Sequence, residues 1–168
     1  MAWRKAVLGL ACFLVFCVPV STEIGQLAQS SIEIDRSCDL TWRFSGDSPV
    51  ALLSTIFGGL PAYVVRGTGS GHGDKVGDQI AINLYGNQYV RMVTERDVSR
   101  YVVEWVLVSG FTQLFQAERD RFELTSIPGV KCRVDRLCRA FTAEGIDLQA
   151  MCTQGLENLK AITEGSSR

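Results

Sequence analysis

The residues of this chain with the greatest chemical potential are its cysteines, a lone histidine and a run of glycines. Six cysteines are present. Cys12 and Cys17 fall inside the apolar stretch from Ala6 to Val20, which follows Arg4 and Lys5 in the order of an export signal. That stretch is shorter than the roughly 20 residues that span a bilayer, so it is expected to be cleaved near Ser21. Cys38, Cys132, Cys138 and Cys152 then remain, and an even number in an exported chain points to two disulfides. From Lys131 to Glu144, Val134, Leu137, Cys138 and Phe141 stand at helical spacing. A second such stretch opens at Asp147 and carries Leu148, Met151, Cys152, Leu156 and Leu159 on one face. Two helices joined so closely run antiparallel, which sets Cys138 opposite Cys152 and leaves Cys38 for Cys132. No CxxC occurs, so neither a metal site nor a cofactor is expected.

His72 is the sole histidine, and any serine or cysteine nucleophile relying on a histidine base would need it. It lies in a glycine-rich segment from Arg66 to Asp78. Alternating glycines can bring backbone amides close to an anion. Here, however, no glycine directly precedes Lys75, no Gly-x-Gly-x-x-Gly can be read, and no Gly-x-Ser-x-Gly elbow exists. Asp74 and Asp78 alone are too few for calcium. The chain is therefore expected not to be an enzyme, and Gly69, Gly71, His72 and Gly73 are read as loop positions for a partner. A second partner surface is expected where Arg133, Arg136 and Arg139 recur at intervals of three, a basic stripe on the first of the two helices. A third cluster, Tyr101, Glu104, Trp105 and Phe115, would line a ligand pocket. Glu104 is the only charge within Tyr101 to Val108, and a carboxylate in a central strand needs a polar partner that a ligand can supply.

The elements that must carry these residues follow from patterning. Without the signal, 15 basic residues face 18 acidic ones, a net charge of about −3, and the two signs are interleaved. That balance argues against nucleic acid, and against a membrane surface unless the signal segment is retained. Residues 22–168 are the size of one domain. A short helix is expected over 22–31, and a strand over Asp39 to Phe44. Val50 to Phe57 fits a strand or a helix. Strands follow at Ala62 to Arg66, at Gln79 to Tyr85 and Gln88 to Thr94 around Gly86-Asn87, and at Tyr101 to Val108. Two more are expected at Phe111 to Ala117 and Arg121 to Ile127, before Pro128-Gly129 and a helical hairpin over 131–163.

This order predicts an α+β domain: an antiparallel meander of about five to seven strands followed by a disulfide-stapled helical hairpin. A small closed barrel with a C-terminal helix is the competing architecture. The functional expectation is a secreted, non-catalytic module that binds another extracellular or cell-surface protein. The alternative is an extracellular carrier of a small apolar ligand, in the role that lipocalins play. A hydrolase built on His72 ranks last.

Overall fold

The computed structural model describes residues 24–67, 71–84, 86–110, 115–142 and 145–165. The signal segment and Gly69 lie outside them. In chain order the elements are β1 (Ile24–Ile34), α1 (Cys38–Ser45), α2 (Pro49–Ile56), β2 (Ala62–Arg66), β3 (Gln79–Leu84), β4 (Asn87–Asp97), β5 (Val102–Ser109), β6 (Phe115–Ile127), β7 (Lys131–Thr142) and α3 (Leu148–Gly165). The strands form one seven-stranded antiparallel sheet in the order β1-β7-β6-β5-β4-β3-β2. The meander runs from β2 to β7, and β1 adds to its far edge. With β1 and β2 at opposite edges the sheet is open, not the closed barrel weighed above.

The two short helices start on side-chain caps. The Ser37 hydroxyl accepts from the Leu40 amide at 3.3 Å, and Ser48 accepts from Ala51 at 3.3 Å with Pro49 in the first turn. The expected strand over Asp39 to Phe44 is therefore helix α1, and the ambiguous Val50 to Phe57 stretch is mostly helix α2. Conversely, the expected N-terminal helix is strand β1. Its inward positions, Gln26, Ala28 and Ser30, are polar or small because they meet α3, and this hides the strand alternation.

The largest correction falls on 131–142. This stretch is not the first helix of a hairpin but strand β7, registered against β6 from Ile127↔Lys131 to Phe115↔Thr142. Its buried positions alternate: Cys132, Val134, Arg136, Cys138, Ala140 and Thr142. Arg136 interrupts the apolar half of that alternation, which leaves Val134, Leu137, Cys138 and Phe141 looking helical. Pro128-Gly129 makes the β6–β7 turn, with Gly129 at φ 88° and Val130 at φ 57°. The two expected strands over 111–127 are one long strand from Phe115 onward. A single C-terminal helix, α3, covers the sheet.

Helices α1, α2 and α3 lie on the same face of the sheet, and the core fills the space between. Trp42, Leu52, Leu53, Leu156 and Leu159 from the helices meet Ile80, Ile82, Val103, Phe122 and Val134 from the strands. Each buried side chain of this size contributes about 1.5–3 kcal/mol. The expected Cys38–Cys132 disulfide is present and joins the start of α1 to the start of β7 across 94 residues. Among the described residues no helix is long and apolar enough to cross a membrane.

Candidate functional site

Strand periodicity places four charged residues on the inner face of the sheet, beneath the helices: Arg91 on β4, Glu118 and Asp120 on β6, and Arg136 on β7. Arg136 is fully committed. Its Nε and Nη2 donate to Asp120 at 3.0 and 2.7 Å, and its Nη1 donates to the carbonyls of Met151 and Cys152 at 3.3 and 3.2 Å. One guanidinium thus docks α3 onto the sheet. Burial opposes its charge, but the charge and hydrogen bonds of Asp120 outweigh that cost and hold its pKa above the usual value.

Arg91 is only half committed. Its Nη2 bonds both oxygens of Glu118 at 2.6 Å, and its guanidinium lies 4.9 Å from the ring of Phe57 and 5.9 Å from that of Trp105. Its Nε and Nη1, together with Nε1 of Trp105, are buried without a hydrogen-bond partner. Buried donors left unmet cost about 1–3 kcal/mol each, and three lie together here, while among the described residues Nε1 of Trp42 stands apart from them in the core.

Two chambers open beside this group. The inner one, about 140 Å³, lies between α3 and the sheet and is walled by Phe57, Glu118, Arg136, Cys138, Met151 and Cys152. The outer one, about 430 Å³, opens between the end of α2 and α3, beside Gly58, Leu60, Asn83 and Asn158. Ile56, Phe57 and Gln154 line both, so Phe57 stands at the boundary. The outer chamber alone has the size of a small-molecule pocket, roughly 300–1,000 Å³.

Cys138 and Cys152 meet on the wall of the inner chamber. They face each other as expected, but from β7 and α3 rather than from two helices. They are two thiols, not a disulfide, with their Sγ atoms 3.0 Å apart. The Cys138 thiol donates to Cys152, and that hydrogen bond, with burial and Asp120, raises its pKa. The same bond, aided by Arg136 and opposed by burial, pulls Cys152 down to about 7.

Of the expected pocket residues, only Trp105 has a described place on the inner face of the sheet, packed on Phe122 at 5.7 Å and lining neither chamber. Tyr101 sits in the β4–β5 turn at φ 52°, against Trp42, with its hydroxyl donating to Asp39. Glu104 points from the opposite face, accepting from Thr94 at 3.0 Å beside Arg119 and Arg121. Phe115 begins β6, and its side chain is outside the described ones. The expected cluster is therefore split between two faces of the sheet.

The arginine stripe is split too: Arg133 and Arg139 face outward and Arg136 inward, because β7 is a strand. His72 is exposed, and its carbonyl accepts from the Val50 amide at 3.1 Å. The described part of the glycine-rich segment is packed rather than free. A Cβ at Gly73 would meet Ile80 at 2.7 Å, and the Gly77 amide donates to the Val93 carbonyl. Gly71 has open space around it.

Sequence reasoning missed Phe57, Arg91, Glu118 and Asp120. The signal was there for two of them. With 115–127 read as one strand, Glu118 and Asp120 fall on the same face as Phe122 and Leu124.

A groove of about 530 Å³ crosses β1, β7, β6 and β5, lined by the outward Leu27, Arg119, Arg139 and Phe141 and by the inward Gln26, Glu118 and Ala140. Leu27 and Phe141 are 63% and 50% exposed there, beside Arg119 and Arg139, which oppose each other across β6 and β7. No group of three potential metal ligands occurs among the described residues.

No protein-family model matches the sequence, and no curated protein matches it. The fold is that of several solved structures. A protein from Nitrosospira multiformis shares it with a TM-score of 0.67 at 16% identity, over 85% of this chain and all of that one. Ara h 8.0201 follows with a TM-score of 0.60 at 11% identity, over 84% of this chain and 96% of its own. Norcoclaurine synthase from Thalictrum flavum, solved in complex with dopamine and hydroxybenzaldehyde, has a TM-score of 0.62 at 11% identity, with 99% of each chain covered. The chain therefore shares the helix-grip fold of these structures, a seven-stranded antiparallel sheet with a C-terminal helix.

Proposed function

We propose that this protein is a non-catalytic carrier of a small, largely apolar ligand, held between the sheet and α3. The observation that carries this reading is the pair of adjoining chambers that share Phe57, with the unmet donors of Arg91 lying behind two of the inner chamber's walls, Phe57 and Glu118. A cavity of that size with a few unsatisfied polar groups is the general form of a ligand site. The synthase of the same fold, solved in complex with dopamine and hydroxybenzaldehyde, supports a small-molecule ligand, at an identity that speaks for fold alone. Export from the cytoplasm belongs to the same proposal, since a Cys38–Cys132 disulfide persists in an oxidising compartment.

A second reading, a module that docks another protein, is favoured by the exposed Leu27 and Phe141 of the groove across β1, β7, β6 and β5. Native mass spectrometry of protein purified from its source separates the two. A co-purifying small molecule is expected. A stoichiometric protein partner, with no small molecule released on denaturation, would overturn the carrier in favour of the second reading.

A further inference from the structure

Two arginines lie on the inner face of one sheet, each paired to a carboxylate of β6, yet they are finished differently. Arg136 spends its guanidinium on Asp120 and on two carbonyls of α3. Arg91 spends one nitrogen on Glu118 and leaves Nε and Nη1 without partners, as Trp105 leaves its Nε1. Arg91 is 3% exposed, so bulk water does not solvate those donors. Both groups that hold Arg91, the Glu118 carboxylate and the Phe57 ring, are walls of the inner chamber. The unmet atoms are all donors, so what completes them is an acceptor.

We propose that Arg91 and Trp105 form the polar end of the ligand site and select an uncharged apolar molecule bearing a carbonyl oxygen. The apolar body occupies the outer chamber beside Phe57, and the oxygen passes between Phe57 and Glu118, the inner-chamber walls that hold Arg91, to accept from Arg91 and Trp105. Charge decides between a carbonyl and a carboxylate. Glu118 already neutralises Arg91 at 2.6 Å, and Asp120 neutralises Arg136 at 2.7 Å, so an ionised ligand would bring an unbalanced charge into a buried site. A neutral acceptor satisfies the donors without that cost.

This rests on the carrier reading, and the test keeps the two apart. Three fluorescent probes share one dimethylaminonaphthalene body: the unacylated parent, its propionyl ketone and its carboxylate. The expected result is that wild-type protein binds the ketone about tenfold or more tighter than the parent, the worth of one hydrogen bond to a charged donor, and tighter than the carboxylate. The ketone-to-parent ratio should fall toward one in the double variant Arg91→Met with Glu118→Met, which removes the ion pair whole. Trp105→Phe, a mild change that tests the same donor set should the double variant fail to fold, should lower the ratio in part. Because the ratio is read within each protein, a loosened cavity affects both probes alike. Equal affinity for parent and ketone, a ratio unmoved by Trp105→Phe, or a preference for the carboxylate would overturn the acceptor site while leaving the cavity. Failure of all three probes to bind would overturn the cavity reading and this inference with it.

Discussion

At the residue scale, the cysteine pair is the most reactive feature of the chamber wall. Thiols with Sγ atoms 3.0 Å apart on facing elements need only a small approach to bond. Exposure of the reduced protein to oxidised glutathione should pass two electrons from the thiols to that disulfide and release two reduced glutathiones. Non-reducing peptide mapping should then link Cys138 to Cys152. Two thiols that remain open to alkylation after denaturation would contradict this. The pH dependence follows from Cys152, whose pKa is lowered to about 7. A lowered thiol stabilises the folded state above the unfolded thiol range, and that contribution is lost as pH falls through about 7. Cys138 is raised and acts in the opposite sense, being favourable while it stays protonated. Reduced Cys152→Ser should therefore lose the stability that wild type gains between about pH 7 and the usual thiol range, as read from urea melts on either side of that window. Sequence spacing brought these two cysteines together for a partly mistaken reason: their meeting depended on both residues facing the space between two elements, not on both elements being helices.

At the element scale, α3 is held by a strand it was expected to pair with as a helix. Gly155 shows how tight the contact is. A Cβ there would lie 2.1 Å from Nη1 of Arg136 and 3.2 Å from Cβ of Ile56. In a free helix Gly→Ala stabilises by about 1 kcal/mol. Here Arg136 is pinned to Asp120 and two carbonyls, so Gly155→Ala should be net destabilising by about 1–3 kcal/mol in urea melts. A rise in stability would show that the guanidinium is free to move. Replacing Cys38 and Cys132 together by alanine should cost about 4–5 kcal/mol, as expected for opening so long a loop. Strands with ordinary alternation, β2 to β5, were close to legible. Those whose inward positions carry functional or helix-docking polar groups were not: Gln26 and Ser30 masked β1, and Arg136 masked β7. Ser48-Pro49 reads as a turn in isolation, and becomes a helix start only because the apolar face of α2 has a sheet to bury against.

At the scale of the whole molecule, an open antiparallel sheet closes on one side with three helices and leaves its core incomplete at one place. Antiparallel sheet and C-terminal helix followed from the order of apolar segments and turns. The cavity did not, because its walls come from α2, β3, β6, β7 and α3, and no local pattern brings Phe57 to Glu118 and Met151. Leu27, Arg119, Arg139 and Phe141 of the groove point away from the helices and line neither chamber, and the groove meets the inner chamber only at Glu118, so a map of where a ligand lands separates the two readings of function. The most direct measurement is amide chemical-shift mapping by NMR as the naphthyl ketone is added to the folded protein. Perturbations should cluster at Phe57, Gly58, Met151, Gln154 and Asn158, and extend inward to Arg91 and Trp105. Shifts confined to Leu27, Arg119, Arg139 and Phe141, with the residues of the inner chambers unmoved, would contradict the account.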